Sequence, residues 1–143
     1  MIRRIDRTEL NDALLLIWEV FCEFEAANYP KEEEQAFWDV LHSEEYLDML
    51  TAYGAFEGDQ LIGVIATRNE GSHIALFFVD GRHHQQGIGR SLFNAVLEET
   101  DADAIMVNSS VFAVEIYKKL GFVQTDALQT EDGIQYVPMR YER

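Results

Sequence analysis

Leu10, Ala13, Leu14, Ile17, Trp18, Phe21 and Phe24 follow one another at steps of three and four, the spacing that lines one face of an α-helix. Asp6 or Thr8 stands where a side-chain oxygen can cap the first turn of that helix. Upstream, Met1 to Ile5 alternates apolar and basic residues, as a first or edge strand does. Pro30 suits the first turn of a second helix, and Glu32 to Glu34 follow where the helix dipole favours negative charge. Ser43 restarts a short helical piece that runs to about Met49.

Beyond this point the period changes. Ala52 to Glu57 and Gln60 to Arg68 predict two strands around a Gly58-Asp59 turn. Ser72 to Val79 is nearly all apolar, as expected of a central strand covered on both faces. Ile88, Leu92, Ala95, Val96 and Glu99 trace a helix, and Asp103 to Asn108 a strand. Ser110 can cap a helix carrying Ala113, Ile116, Tyr117 and Leu120 on its apolar face, with Gly121 as its stop. Phe122 to Asp126 and Ile134 to Tyr141 finish as strands around Glu131-Asp132-Gly133. The order β-α-α-β-β-β-α-β-α-β-β predicts an α/β protein, a mixed sheet with helices on its faces. With no repeat or linker in 143 residues, the expectation is one domain spanning 1–143.

Composition narrows the function. The formal net charge of −15 argues against nucleic acid or an anionic membrane as partner, and suits a cationic one such as an amine. No apolar stretch is long enough to span a bilayer and no signal-peptide pattern opens the chain. Cys22 is the only cysteine, so an internal disulfide is impossible and a reducing cytoplasm is expected. A lone cysteine inside a helix is expected to be a packing residue.

The candidate chemistry lies in "GRHHQQGIGRSLF", residues 81 to 93, between the central strand and a helix. Such a loop points free backbone N–H groups outward at the positive end of the helix dipole. Glycines remove the Cβ atoms that hold an anion away. Gln86, Gly87, Ile88, Gly89 and Arg90 can thus cradle a phosphate, or the glycines can serve a tight turn with close helix–sheet packing. A dinucleotide fingerprint would need glycine where Leu92 stands, and a P-loop would need Gly-Lys-Ser/Thr. His83 and His84 are adjacent, point apart on most backbones and have no third ligand placed, so no metal is expected.

The stretch His84-Gln85-Gln86-Gly87-Ile88-Gly89 resembles the coenzyme A motif of the GCN5-related N-acetyltransferase family, Gln/Arg-x-x-Gly-x-Gly/Ala. "IALFFVDGRH" is similar to that family's central strand and its exit, and "VNSSVFAVEIYKKLGF" to its second signature. His84 replaces the usual Gln or Arg. The resemblance implies a single-domain fold with a mixed, mostly antiparallel central sheet flanked by helices. It also implies acetyl-CoA as co-substrate and a small-molecule amine or protein amino group as acceptor; a homodimer stays open.

By the same resemblance, pantetheine would pair with the strand at Phe77, Phe78 and Val79, opposite the strand ending at Asn108. The pyrophosphate would sit on Gln85 to Arg90, with Arg82 and Arg90 as candidate phosphate partners. A backbone N–H near Phe78 or Val79 would polarise the thioester carbonyl. Tyr117, a packing residue by its position alone, matches the family's thiolate-side acid. Asn108 is either a pantetheine contact or a helix-start cap. Trp18, Phe21, Phe37 and Trp38 sit on helices that wall the acceptor site in this family. His73 falls where histone-acetylating members carry a catalytic glutamate, and strand alternation places it on one face with Ala75, Phe77 and Val79. It is therefore the candidate base, ahead of His83, Glu25 and Glu70. The alternative to an enzyme is a non-catalytic acyl-CoA-binding or sensor module; a third reading is an unrelated phosphate- or partner-binding domain.

Overall fold

The structure, a computed structural model, describes residues 1–131 and 133–143. Strand β1 (Ile2–Ile5) leads into α1 (Arg7–Phe24) through Asp6, whose carboxylate accepts the Glu9 N–H at 2.8 Å. Glu9 accepts the Asp6 N–H in return at 3.1 Å, a reciprocal cap of the kind that stabilises a helix start by roughly 1 kcal/mol. After a single 3₁₀ turn, α2 (Lys31–Leu41) starts behind Pro30 and α3 (Glu44–Asp48) behind Ser43, whose hydroxyl accepts the Tyr46 N–H at 3.2 Å.

Strands β2 (Thr51–Glu57), β3 (Gln60–Arg68) and β4 (His73–Val79) form an antiparallel meander. Helix α4 (Ile88–Glu99) carries the chain across to β5 (Ala104–Ser109), parallel to β4. Helix α5 (Val114–Leu120) stops at Gly121, which adopts φ +108°, a conformation glycine takes without strain. Strands β6 (Val123–Gln124), β7 (Gln129–Glu131) and β8 (Ile134–Glu142) complete a sheet ordered β1-β2-β3-β4-β5-β8-β6, with β7 paired to β8.

Helices cover both faces. Leu92, Phe93, Val96 and Tyr117 pack with Ile65, Ile105 and Met139 on the α4–α5 side. Leu10, Ile17, Leu41 and Leu47 pack with Val64, Ala66 and Leu76 on the α1–α3 side. Each such side chain taken fully out of water contributes about 1.5–3 kcal/mol. Among the described residues, no helix is long and apolar enough to cross a membrane.

Two departures from regularity shape the middle of the sheet. Strands β4 and β5 pair only at His73↔Met106 and Ile74↔Val107, then part. Strand β4 also carries a bulge: Ala66 pairs with Leu76 and Thr67 with Ile74, leaving Ala75 as an extra residue. The bulge breaks the alternation. Ile74, Phe77 and Val79 pack on the α4–α5 side, while Leu76 and Phe78 pack on the α1–α3 side. His73 stands opposite Arg68, two residues beyond Ala66, and so lies on the α1–α3 side. The expectation that His73 shares a face with Phe77 and Val79 is therefore corrected.

Smaller corrections follow from exposure and hydrogen bonding. Cys22 is exposed rather than packed, as is Ile116 on α5. Ser110 accepts the Ala113 N–H at 3.1 Å and so caps a turn ahead of α5, which starts at Val114. Strand β6 is shorter than Phe122 to Asp126, and β7 was not expected at all. The turn expected at Glu131-Asp132-Gly133 includes Asp132, which lies outside the described residues.

Candidate active site

Where β4 and β5 part, the free edge of β4 is defined by its bonds to β3. The Asp80 N–H donates to Ile62 O at 2.8 Å. An antiparallel ladder alternates, so Phe78 also bonds inward, opposite Val64, while the backbone groups of Phe77 and Val79 face the gap. His84 Nε2 lies 2.8 Å from Val79 O. A carbonyl only accepts, so the imidazole donates through Nε2. Its ring also lies 4.7 Å from that of Phe24. His84 thus latches the loop to the end of β4, while the Val79 N–H remains turned to the gap.

The loop then turns through left-handed residues at Gln85 (φ +64°) and Gly87 (φ +80°). No side chain caps α4, and its first backbone bond runs from Ser91 N–H to Gly87 O at 3.0 Å. The N–H groups of Ile88, Gly89 and Arg90 therefore have no intrahelical acceptor. A Cβ on Gly87 would meet nothing within 4 Å, and one on Gly89 would make only ordinary contact with the Phe77 ring at 3.6 Å. The fold leaves room for a side chain at both positions, and glycine keeps that room open in front of the N–H groups. This donor set suits an anionic group. It opens onto a cleft of about 360 Å³ walled by Phe24, Phe112, Ile116 and Leu120 and lined by Tyr117.

A second cavity, of about 270 Å³, lies on the other side of Phe77 and Phe78. Tyr29, Tyr46, Tyr136, Phe21 and Phe37 supply its rings, and Glu25, Glu33, Glu131 and Arg68 its charges. Glu25, Phe77, Phe78, Ala113 and Tyr117 line both cavities. Burial pushes the Glu25 carboxyl above its ordinary value, a shift opposed by a hydrogen bond with Ser110. Burial, and next the Glu25 charge, push the Tyr29 phenol up to about 12. The Tyr117 phenol is raised by the same two causes in the same order, and its ring is wedged edge-on against Phe77 and Phe122.

A family model described as an acetyltransferase (GNAT) domain matches residues 25–143. The chain belongs to the GNAT acetyltransferase family. Its fold is that of solved GNAT structures. A GCN5-related N-acetyltransferase from Rhodopseudomonas palustris superposes with TM-score 0.85 at 16% identity, covering 100% of this chain and 95% of that one. The PaiA N-acetyltransferase from Thermoplasma acidophilum, solved with coenzyme A, gives TM-score 0.78 at 18% identity over 100% and 98% of the two chains. YjaB from Escherichia coli gives 0.74 at 22% identity over 98% and 94%. A comparison with curated protein sequences returns no match.

Within this GNAT fold the motif residues do not all fall together. Phe77, Phe78, Val79, His84, Gln85, Gly87, Ile88, Gly89 and Arg90 line the cleft. Gln86 turns aside, its amide donating to Arg82 O at 3.4 Å. Arg90 donates to Lys119 O at 2.8 Å, and Arg82 is ion-paired with Asp80 at 2.9 Å. Asn108 lines the second cavity rather than the cleft, as do Phe21 and Phe37, whereas Trp18 and Trp38 meet edge-on outside both. His73 lines neither cavity; its ring meets Arg68 Nη2 at 3.3 Å. Burial, then the Arg68 charge, bring its pKa down to about 4. Glu33 was missed as a site residue because it reads as one more acid in a helix-start run, Glu32 to Glu34, yet it is the member buried against β8. Among the described residues, no three His, Cys, Asp or Glu side chains converge as a metal site.

Proposed function

We propose that this chain transfers an acetyl group from acetyl-CoA to the primary amine of a small molecule, by direct attack in a ternary complex. The observation that carries this reading is the meeting of two cavities at one carboxylate and one phenol, Glu25 and Tyr117. The coenzyme supplies an activated acyl thioester. The unpaired N–H groups at the start of α4 would hold its pyrophosphate, and the free backbone edge at Phe77 and Val79 its pantetheine amides. The Val79 N–H, turned into the gap, would polarise the thioester carbonyl; Phe78, whose backbone bonds to β3, would contribute its ring alone.

Two proton tasks remain. Glu25, rather than His73, removes the proton from the incoming ammonium: it faces both cavities, and a carboxyl with raised pKa is better matched to a base near neutrality. Tyr117 stays protonated at neutral pH and donates to the departing sulfur. As the amine nitrogen bonds to the carbonyl carbon, the C–S bond breaks and the sulfur leaves as the thiol. A walled cavity of about 270 Å³ favours a small amine over a protein amino group. The carboxylates of Glu25, Glu33 and Glu131 favour its arrival as a cation.

Acetyl-CoA titration calorimetry, followed by a thiol-release screen over polyamines, aminoglycosides, amino acids and peptide N-termini, tests the reading. Binding with turnover of at least one amine is expected. Binding without turnover of any amine would assign the chain to non-catalytic acyl-CoA binders, and no binding would overturn the cleft altogether.

A further inference from the structure

The second cavity holds two polar atoms whose needs the protein itself leaves unmet. Glu33 is 7% exposed. Its Oε1 accepts the Gln135 N–H at 2.9 Å, while its Oε2 is buried and, among the described residues, has no hydrogen-bond partner. Arg68 Nε is likewise buried and without a partner among the described residues. Both side chains line the same cavity. They carry opposite charge, yet they form no ion pair with each other. A buried charge without a counter-charge is costly, and that cost is relieved when a ligand brings the missing partner.

The wider charge balance makes Arg68 more telling. The chain has 26 acidic residues against 11 Lys and Arg, so carboxylates to pair with are abundant. Arg3, Arg7, Arg82 and Arg140 each have one, while Arg90 and Arg143 donate to backbone carbonyls. Arg68 instead meets a neutral imidazole. A guanidinium can only donate, so His73 Nε2 accepts and its proton sits on Nδ1. His73 thereby orients the guanidinium without neutralising it.

We infer that the acceptor is amphoteric, a small amine that also bears a carboxylate or comparable anionic group, with its ammonium against Glu25 and Glu33 and its anion against Arg68. This rests on the acetyltransferase reading and assigns the substrate class of the same site. The ammonium has three donors, enough for the orphaned Glu33 Oε2 and for the base. The guanidinium fork matches a planar carboxylate or a phosphonate. A polyamine would meet the carboxylates equally well but would place a second cation against Arg68, a repulsion that discriminates by charge.

The test pairs each anionic amine with its uncharged counterpart: L-amino acids and dipeptides against their C-terminal amides, and 2-aminoethylphosphonate against ethylamine. Thiol release is measured for wild type, Arg68→Gln and Arg68→Lys, with acetyl-CoA affinity as a control for folding. In the wild type the anionic members should be preferred by about tenfold or more, chiefly through KM, the range of one lost charge-assisted hydrogen bond. Arg68→Gln should abolish that preference with kcat little changed, and Arg68→Lys should restore part of it. A preference for the amides or for polyamines, or a preference that survives Arg68→Gln, overturns the inference. If acetyl-CoA binds but no amine turns over, the catalytic reading alone fails. Titration calorimetry of the same pairs with coenzyme A present then decides: binding of anionic members that Arg68→Gln removes supports the inference, and no such binding overturns it.

Discussion

His73 accepts a hydrogen bond from Arg68 Nη2 at 3.3 Å, and the two residues face each other as partners across β3 and β4. The pair has a consequence for stability. Burial first, then the Arg68 charge, lower the His73 pKa from 6.5 to about 4. The unfolded chain therefore binds more protons than the folded one between these values, and stability falls as pH drops through that window. Thermal unfolding followed from pH 6.5 to pH 4 should show the wild type losing stability relative to His73→Gln, whose amide does not titrate. Parallel curves for the two proteins would mean that the imidazole keeps an ordinary pKa.

The assignment of the base to Glu25 separates it from His73 in a pH profile. Activity should rise with pH through the Glu25 pKa, which burial holds above 4.5. Glu25→Gln should remove that acidic limb and lower kcat/KM at pH 7 by about 10²-fold, with partial recovery at high pH where the amine deprotonates unaided. His73→Ala should keep the limb and act mainly on acceptor KM through Arg68. A limb that vanishes in His73→Ala and persists in Glu25→Gln would return the base role to the histidine.

Tyr117→Phe keeps the edge-on contacts with Phe77 and Phe122 and deletes only the hydroxyl. Turnover should fall by about 10²-fold, with acetyl-CoA affinity retained. Pre-steady-state rates of thiol appearance would show it. Unchanged turnover would leave Tyr117 as a core residue.

The two glycines at the start of α4, Gly87 and Gly89, should respond differently. Gly89 lies in the first turn of α4, where a Cβ meets only the Phe77 ring at 3.6 Å. Gly89→Ala should leave stability unchanged or raise it, by up to about 1 kcal/mol from helix propensity, while acetyl-CoA affinity drops about tenfold or more. Gly87→Val should weaken binding and destabilise as well, because a branched residue is strained at φ +80°. Calorimetric titration beside thermal melts checks both; full affinity in Gly89→Ala would remove the cradle.

Much of the fold was legible because periodicity survives wherever an element has one buried face. The α1 stripe put Leu10, Ala13, Ile17 and Phe21 inside as spaced, and Gly121 ended α5 as expected. Strand β7 escaped because Gln129, Thr130 and Glu131 carry no apolar signal; their pairing with Tyr136, Gln135 and Ile134 is set by the hairpin. The cleft was legible for a different reason: glycines at the N-cap and in the first turn of an uncapped helix mark a local need that packing does not create. The second cavity was not legible, since it joins α1, α2, β3, β5 and β8, and no local pattern encodes which acid of a run turns inward. The bulge was equally silent. Ala75 looks like any strand residue, and its displacement by one position sent His73 to the other face.

That one inserted residue also partitions β4 along its length. Ile74, Ala75 and Leu76 border only the cavity of Glu33 and Arg68, Val79 borders only the cleft beneath the α4 loop, and Phe77 and Phe78 border both. Mutations near the start of the strand can thus reshape one compartment while the other keeps its walls. An enzyme built this way can exchange one reaction partner over evolutionary time and keep the other, with the change confined to a few neighbouring codons. Deleting Ala75 would be a different kind of change, because it would restore the regular pleat while keeping the His73 ring on the α1–α3 side of the sheet, opposite Arg68.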